Sequence, residues 1–228
     1  MSGSGTLARI MNDLAASGIG PLDEARRELL GTFIREVALW SGRIHLVGKR
    51  HIRKTVSDLV VDSWILCRFA GERGILEPAG NRDVTHAPVR VADVGSGAGF
   101  PGIVWKIAAP ELDIALFERR EKTLRFLERV VTLMRVDGLR AEGSGVDGAD
   151  FSGRFDVVVS KAAGQLQLLA PLAARLLRAG GTYITMKGSG WKQETEEAGT
   201  APLQLAIAEE LPTGRGTMLS FVRENSSN

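Results

Sequence analysis

The chain reads as an α/β protein: a mostly parallel sheet with helices on both faces, an antiparallel hairpin at one edge and a helical extension in front. Three observations carry this reading. From Pro88 onward, apolar runs of strand length alternate with amphipathic stretches of helix length. Ahead of Pro88 the apolar spacing is helical only. The last two strand-like runs, 203–208 and 217–222, flank a turn at Pro212-Thr213-Gly214 with no clear helix between them, which marks a hairpin.

Taken in order, residues 1–20 read as a loosely ordered N-terminus. Pro21 opens an amphipathic helix with Leu22, Ala25, Leu29, Leu30, Phe33, Val37 and Trp40 on one side, stopped by Ser41-Gly42. A second helix fits Thr55 to about Ala70. Gly71 to Pro88, rich in Gly, Pro and Asn, reads as a linker, so 21–87 forms the extension and 88–228 the sheet domain. Strand 89–94 leads to a helix near 101–109, and strand 112–118 leads to a helix near 121–136. A weak strand near 139–142 and a glycine-rich loop precede strand 155–160. A helix over 164–178 then stops at Gly180-Gly181, and strand 182–187 ends in Lys187-Gly188.

With 228 residues, 44% of them hydrophobic and 25% charged, the chain is long enough to bury a core and ordinary in composition. The single cysteine, Cys67, excludes an intramolecular disulfide and suits a reducing cytoplasm. Met1 to Gly5 shows no signal-peptide pattern, and no apolar run approaches the roughly 20 residues of a membrane span. A net charge of +2 argues little for nucleic acid, but its distribution argues more. Val37 to Ser57 holds Arg43, Lys49, Arg50, Arg53 and Lys54, with His45 and His51, and no acid; a second cluster runs Arg119, Arg120, Lys122, Arg125, Arg129. Each is either a solvated face or part of a surface for an anionic polymer.

The most informative segment is Asp93-Val94-Gly95-Ser96-Gly97-Ala98-Gly99-Phe100-Pro101-Gly102, a glycine turn between a strand and a helix. Such a turn lets a ligand approach bare backbone. Gly97, Gly99 and Gly102 satisfy the dinucleotide spacing, yet Asp93 two residues before Gly95 repels a pyrophosphate. An acid there holds the ammonium of a methionine moiety or anchors the turn. Glu118, ending the next strand, suits a ribose. The pair favours S-adenosylmethionine over a nicotinamide cofactor, with Asp93, Gly95, Ser96, Gly97 and Gly99 around the methionine end. The alternative is that Asp93 caps a turn and Glu118 is an exposed strand end.

The block Asp93 to Gly102 resembles the signature of the bacterial small-subunit ribosomal RNA guanine-N7 methyltransferases, the glucose-inhibited division protein B family. Its closing Phe100-Pro101-Gly102 is the specific part. Similarity continues through Leu116-Phe117-Glu118, Lys122, Arg125-Phe126-Leu127, Phe155 to Ala162 and Lys187-Gly188. Upstream it takes in Leu39 to Leu46 and Val61-Asp62-Ser63, so it spans about residues 25–190. The resemblance implies a class I, Rossmann-like methyltransferase fold, S-adenosylmethionine as cofactor, and ribosomal RNA or the assembled small subunit as partner. It places cofactor contacts at Gly95, Phe100 and Glu118. It also places Val146 and Asp147 at the adenine end, and Lys161 where the family has an arginine. Gly145, Leu59, Ser41 and His45 depart from its pattern as well, which leaves the target less defined than the chemistry.

Guanine N7 offers a lone pair and carries no proton, so the lack of an obvious catalytic pair is consistent with that target. His45, His51 and His86 read as surface or loop residues. Lys161, at the C-terminal end of a strand, faces the target base or its phosphate, or else is a surface lysine. Lys187-Gly188 contacts RNA or forms a simple turn. Trp40 and Trp105 sit at core spacing, whereas Trp191, in a glycine-rich loop, is the best candidate for stacking on a base. Competing readings are a methyltransferase turned to a small molecule or protein, and an RNA-binding protein that keeps the cofactor without turnover. An open basic cleft favours RNA, a deep apolar pocket the small molecule.

Overall fold

The computed structural model describes residues 3–44, 46–47, 52–77, 87–143 and 149–224. Three helices come first: α1 (Gly3–Ala16), α2 (Glu24–Ser41) and α3 (Ile52–Glu72). Then β1 (Arg90–Val94), α4 (Gly102–Ala108), β2 (Asp113–Phe117), α5 (Glu121–Met134) and β3 (Leu139–Glu142) alternate. They are followed by β4 (Phe155–Lys161), α6 (Leu166–Leu176), β5 (Leu177–Lys187), α7 (Trp191–Ala198), β6 (Leu203–Glu210) and β7 (Thr217–Arg223).

The seven strands form one sheet in the order β3-β2-β1-β4-β5-β7-β6. β1 pairs in parallel with β2 on one side and β4 on the other. The chain therefore winds outward from β1, returns, and winds outward again. Such a reversal opens a crevice beyond the C-terminal ends of the two central strands, where α/β sheets bind ligands. The expected edge hairpin is present, with β7 inserted antiparallel between β5 and β6.

Successive residues along each strand point to opposite faces, and the core divides accordingly. Val91, Ile114, Leu116, Val157, Val159 and Ile184 pack against α1 to α5. Ala92, Val94, Ala115, Phe117, Val158 and Tyr183 pack against α6. On the first face, Asp23 caps α2 by accepting the Arg26 N–H at 2.8 Å. The Arg26 guanidinium reaches on to the carbonyls of Ile107 and Ala108 at the end of α4. Trp105, fully buried on α4, donates its indole N–H to the Ser63 carbonyl of α3 at 3.0 Å. The helical extension is thus bonded to the sheet domain and shares its core.

Three local expectations are corrected. The stretch read as a loosely ordered N-terminus contains α1, whose Thr6, Ile10 and Leu14 are buried at four-residue spacing. Gly3, Ser4 and Gly5 at its start are poor helix formers, and packing of that stripe overrides them. Trp191 begins α7 instead of lying in a loop, and its ring is half-buried against the second core. β5 starts at Leu177, directly after α6, so Gly180-Gly181 lies inside a strand. Gly180 is left-handed there (φ +70°), and the β4–β5 register shifts between Phe155 and Val157, a bulge in place of a helix stop.

Leu14→Ala is expected to destabilise the protein by about 2–5 kcal/mol, because it empties a core site that cannot fully collapse. A urea midpoint that falls at unchanged slope is the expected result; a loosely held N-terminus would leave the midpoint in place.

Candidate active site

The glycine turn is built around one buried carboxylate. Asp93, fully buried near the end of β1, accepts the Gly102 N–H at 2.9 Å through Oδ2. Its carbonyl takes the Ser96 hydroxyl at 2.8 Å. The N–H groups of Gly95 and Ser96 both donate to the Phe117 carbonyl, which fixes the turn to the end of β2. A side chain at Gly102 would place its Cβ 2.4 Å from Leu116 and 2.7 Å from the Asp93 carboxylate, so only glycine fits. Gly95 has φ +73°, and a Cβ there would lie 2.6 Å from that of Ala163. The second Asp93 oxygen, Oδ1, has no partner. Burial pushes the acid up to about 7, partly opposed by the Gly102 N–H.

Beside the turn lies a cleft of about 610 Å³, within the usual range for small-molecule sites. Gly95 forms one edge, Glu118 and Arg120 another, and Ala162 to Gly164 with Leu168 and Leu172 of α6 a third. Leu168 is 70% exposed although apolar, as expected of a side chain walling an open site. Glu118 is 6% exposed. Burial alone would raise its carboxyl; hydrogen bonds from the Arg120 side chain and backbone overcome this and hold it below the ordinary glutamate range. Oε1 accepts the Arg120 N–H at 2.8 Å and Oε2 accepts Nη2 at 3.1 Å, leaving lone pairs for hydroxyl donors.

Lys161 ends β4 at 7% exposure and makes no hydrogen bond to a described residue. Burial drives its ammonium down to about 8, while Asp62 and Asp93 work to keep it charged. Asp62 of α3 is occupied elsewhere. Arg215, in the β6–β7 turn, donates to Asp62 through Nη2 at 2.6 Å and through Nε, and lies 3.4 Å from Asp58. Among the described residues no His, Cys, Asp or Glu cluster has the make-up of a metal site, and no helix is long and apolar enough to cross a membrane.

Comparison with known proteins gives this site a context. The family model described as rRNA small subunit methyltransferase G matches residues 26–213. The chain belongs to that family. A relative named ribosomal RNA small subunit methyltransferase G from Streptococcus equi subsp. zooepidemicus (strain MGCS10565) is 34% identical over 153 residues, 62% of this chain and 64% of the relative. The chain thus spans less than two thirds of the length of that relative. A namesake from Streptococcus uberis is 25% identical over 215 residues, 89% of this chain and 85% of its own. Among solved structures, geranyl diphosphate methyltransferase in complex with GPP and sinefungin aligns at TM-score 0.56 and 13% identity, over 76% of this chain and 80% of that one. That likeness is one of fold.

In this member of the small subunit methyltransferase G family the sequence-predicted residues divide between two sides of the sheet. Gly95 and Glu118 line the cleft. Asp93 and Lys161 alternate with residues of the second core and so face the helical extension. Phe100 is 5% exposed and packs on Phe33 of α2 at 5.1 Å, so its ring serves the core. Ser96, Gly97 and Gly99 complete the turn. Val146 and Asp147 lie outside the described residues, as do Gly145, Lys49, Arg50 and the three histidines. Within the second basic cluster Arg120 pairs with Glu118, Arg125 with Glu121 and Arg129 with Glu36. Only Arg119 and Lys122 are without an ion pair to a described residue, so that cluster offers two free cations instead of five. Sequence reasoning missed Ala162, which is left-handed without being glycine (φ +55°), and the cleft walls at Leu168 and Leu172. Nothing in their local spacing marks them.

Asp93 also fixes a pH dependence. Its carboxyl is raised in the folded state, from 3.8 to about 7, so folded protein binds a proton that unfolded chain has released. That contribution is present at low pH and is lost as pH rises through about 7. Asp93→Asn keeps an acceptor for Gly102 and removes the titration. Its thermal midpoint is expected to fall less than that of the wild type between about pH 5 and about pH 8; parallel curves would place the titration elsewhere.

Proposed function

We propose that this chain is a cytoplasmic S-adenosylmethionine-dependent methyltransferase that modifies guanine N7 in small-subunit ribosomal RNA. The observation that carries this reading is the buried glycine turn, with its unpartnered Asp93 oxygen and the ionised Glu118 beside Gly95, in a chain of the small subunit methyltransferase G family. The residues present fit the cofactor. The cleft has the volume of a nucleoside site, Glu118 offers acceptors for ribose hydroxyls, and Asp93 Oδ1 is a buried acceptor near the turn for an ammonium. Phe100 and Lys161, with Val146 and Asp147, are the further contacts that the resemblance implies.

S-adenosylmethionine, when bound, supplies an electrophilic methyl group on a sulfonium. Guanine N7 needs no base to accept it, so the work left to the chain is positioning and exclusion of water. Gly95, Glu118 with Arg120, and the Ala162–Gly164 loop with α6 set the three edges of the cleft. Lys161 is a buried ammonium at the C-terminal end of a central strand, and a cation there suits the target base or its phosphate. Arg119, which lines the cleft beside Glu118, and Lys122 have no ion pair to a described residue, and such cations suit RNA phosphates.

The test is transfer of labelled methyl from S-adenosylmethionine to small ribosomal subunits lacking the modification, followed by borohydride and aniline treatment, which cuts at N7-methylguanine. Label with one new cut site is expected. Label without a cut moves the methyl to another atom, and no label with cofactor bound favours a different substrate. In the same assay Lys161→Ala is expected to lower the methylation rate by more than about tenfold while weakening RNA binding less. Equal losses would make Lys161 a backbone contact.

A further inference from the structure

The loop between β4 and α6 presses on the glycine turn, and a charged pair outside the cleft holds it there. Ala162 is left-handed at φ +55°, a conformation that a residue with a Cβ rarely adopts. Such a loop keeps its shape only when its surroundings fix it. The fixing group is Lys187, the last residue of β5, whose ammonium donates to the Gly164 carbonyl at 2.8 Å and to Glu194 Oε1 at 2.7 Å. The same Glu194 oxygen accepts the N–H of Leu166, the first residue of α6, at 2.6 Å. One ammonium and one carboxylate therefore bind the loop's end and the start of the helix that walls the cleft.

The Lys187 side chain is only 10% exposed, while its partners Gly164 and Glu194 lie nearer the surface. Neither Lys187 nor Glu194 lines the cleft; they line a separate hollow of about 380 Å³, with Gly164 bordering both spaces. From the other side of the loop, Ala163 leaves no room for a side chain on Gly95. A shift at Gly164 thus passes through Ala163 to the turn.

We propose that Lys187 and Glu194 are positioning residues for the cofactor cleft: a clasp between β5 and α7 that seats the Ala162–Gly164 loop against Gly95. This rests on the reading of the cleft as an S-adenosylmethionine site. It also turns Lys187 away from the RNA contacts, since its ammonium donates to two protein oxygens, those of Gly164 and Glu194.

The experiment is calorimetric titration of the full chain with S-adenosylmethionine, with steady-state kinetics on small subunits, for wild type, Lys187→Met, Glu194→Ala and the double variant. Each single change is expected to raise the cofactor Kd and KM about tenfold, with kcat and the RNA KM unchanged, and the double variant is expected to be no worse than either single one. Glu194→Gln keeps an acceptor oxygen and is expected to retain most of the affinity. A Kd within about twofold of wild type in a folded variant overturns the proposal, as do additive losses in the double variant. If Lys187→Met does not fold, Glu194→Ala decides the matter. If wild type itself does not bind S-adenosylmethionine, the reading of the cleft falls, and the clasp's role falls with it.

Discussion

The hydrogen bond from the Gly102 N–H to the Asp93 carboxylate closes the turn on which the site depends. It joins the end of the first strand to the start of the helix that follows. It leaves one oxygen of a fully buried acid without a partner, which is costly unless a ligand or a proton takes it up. Shape is the second constraint on that turn. Leu116 and Asp93 leave no space for a side chain at Gly102, and Ala163 leaves none at Gly95. Backbone, carboxylate and the neighbouring loop thus determine one another, and the cleft is what remains between them.

The helical extension is part of the same arrangement. α2 supplies Phe33 against Phe100, α3 supplies the carbonyl that takes the Trp105 indole, and Asp62 of α3 holds Arg215 at the far edge of the sheet. Every one of these contacts meets the sheet domain at the turn, at the helix after it, or near Lys161. The two sides of the central strands therefore have different characters. One side is an open cleft walled by leucines and a carboxylate; on the other lies a layer of charges, Lys161, Asp93, Asp62 and the partly exposed Arg215.

Much of this was legible in the residues, for a physical reason: the strand–turn–helix unit is local, and its glycines, acid and flanking apolar runs lie within about a dozen positions of each other. The alternation that follows made the parallel sheet legible in the same way. What stayed hidden depends on partners distant in the chain. α1 has weak local propensity and exists by packing Ile10 and Leu14 on α2 and α3. The basic run at 119–129 looks like one patch in sequence, but folding spends Arg129 on Glu36 of a different helix. Lys187 reads as a free strand-end lysine until Gly164 and Glu194 come up beside it.

The position of β7 has a consequence for the order in which the molecule is assembled. β5 and β6 are consecutive in the chain as strands, yet they do not pair with each other; β7 lies between them and bonds to both. A nascent chain can form the parallel half of the sheet early, but β6 has no strand to join until residues 217–223 have left the ribosome. Docking of that strand also carries Arg215 to Asp62, 153 positions earlier. Contacts this distant form late, because their loop-closure entropy must be met first. Cofactor-turn formation and completion of the charged layer are therefore separated in time during synthesis, with the turn shaped before the far edge is sealed.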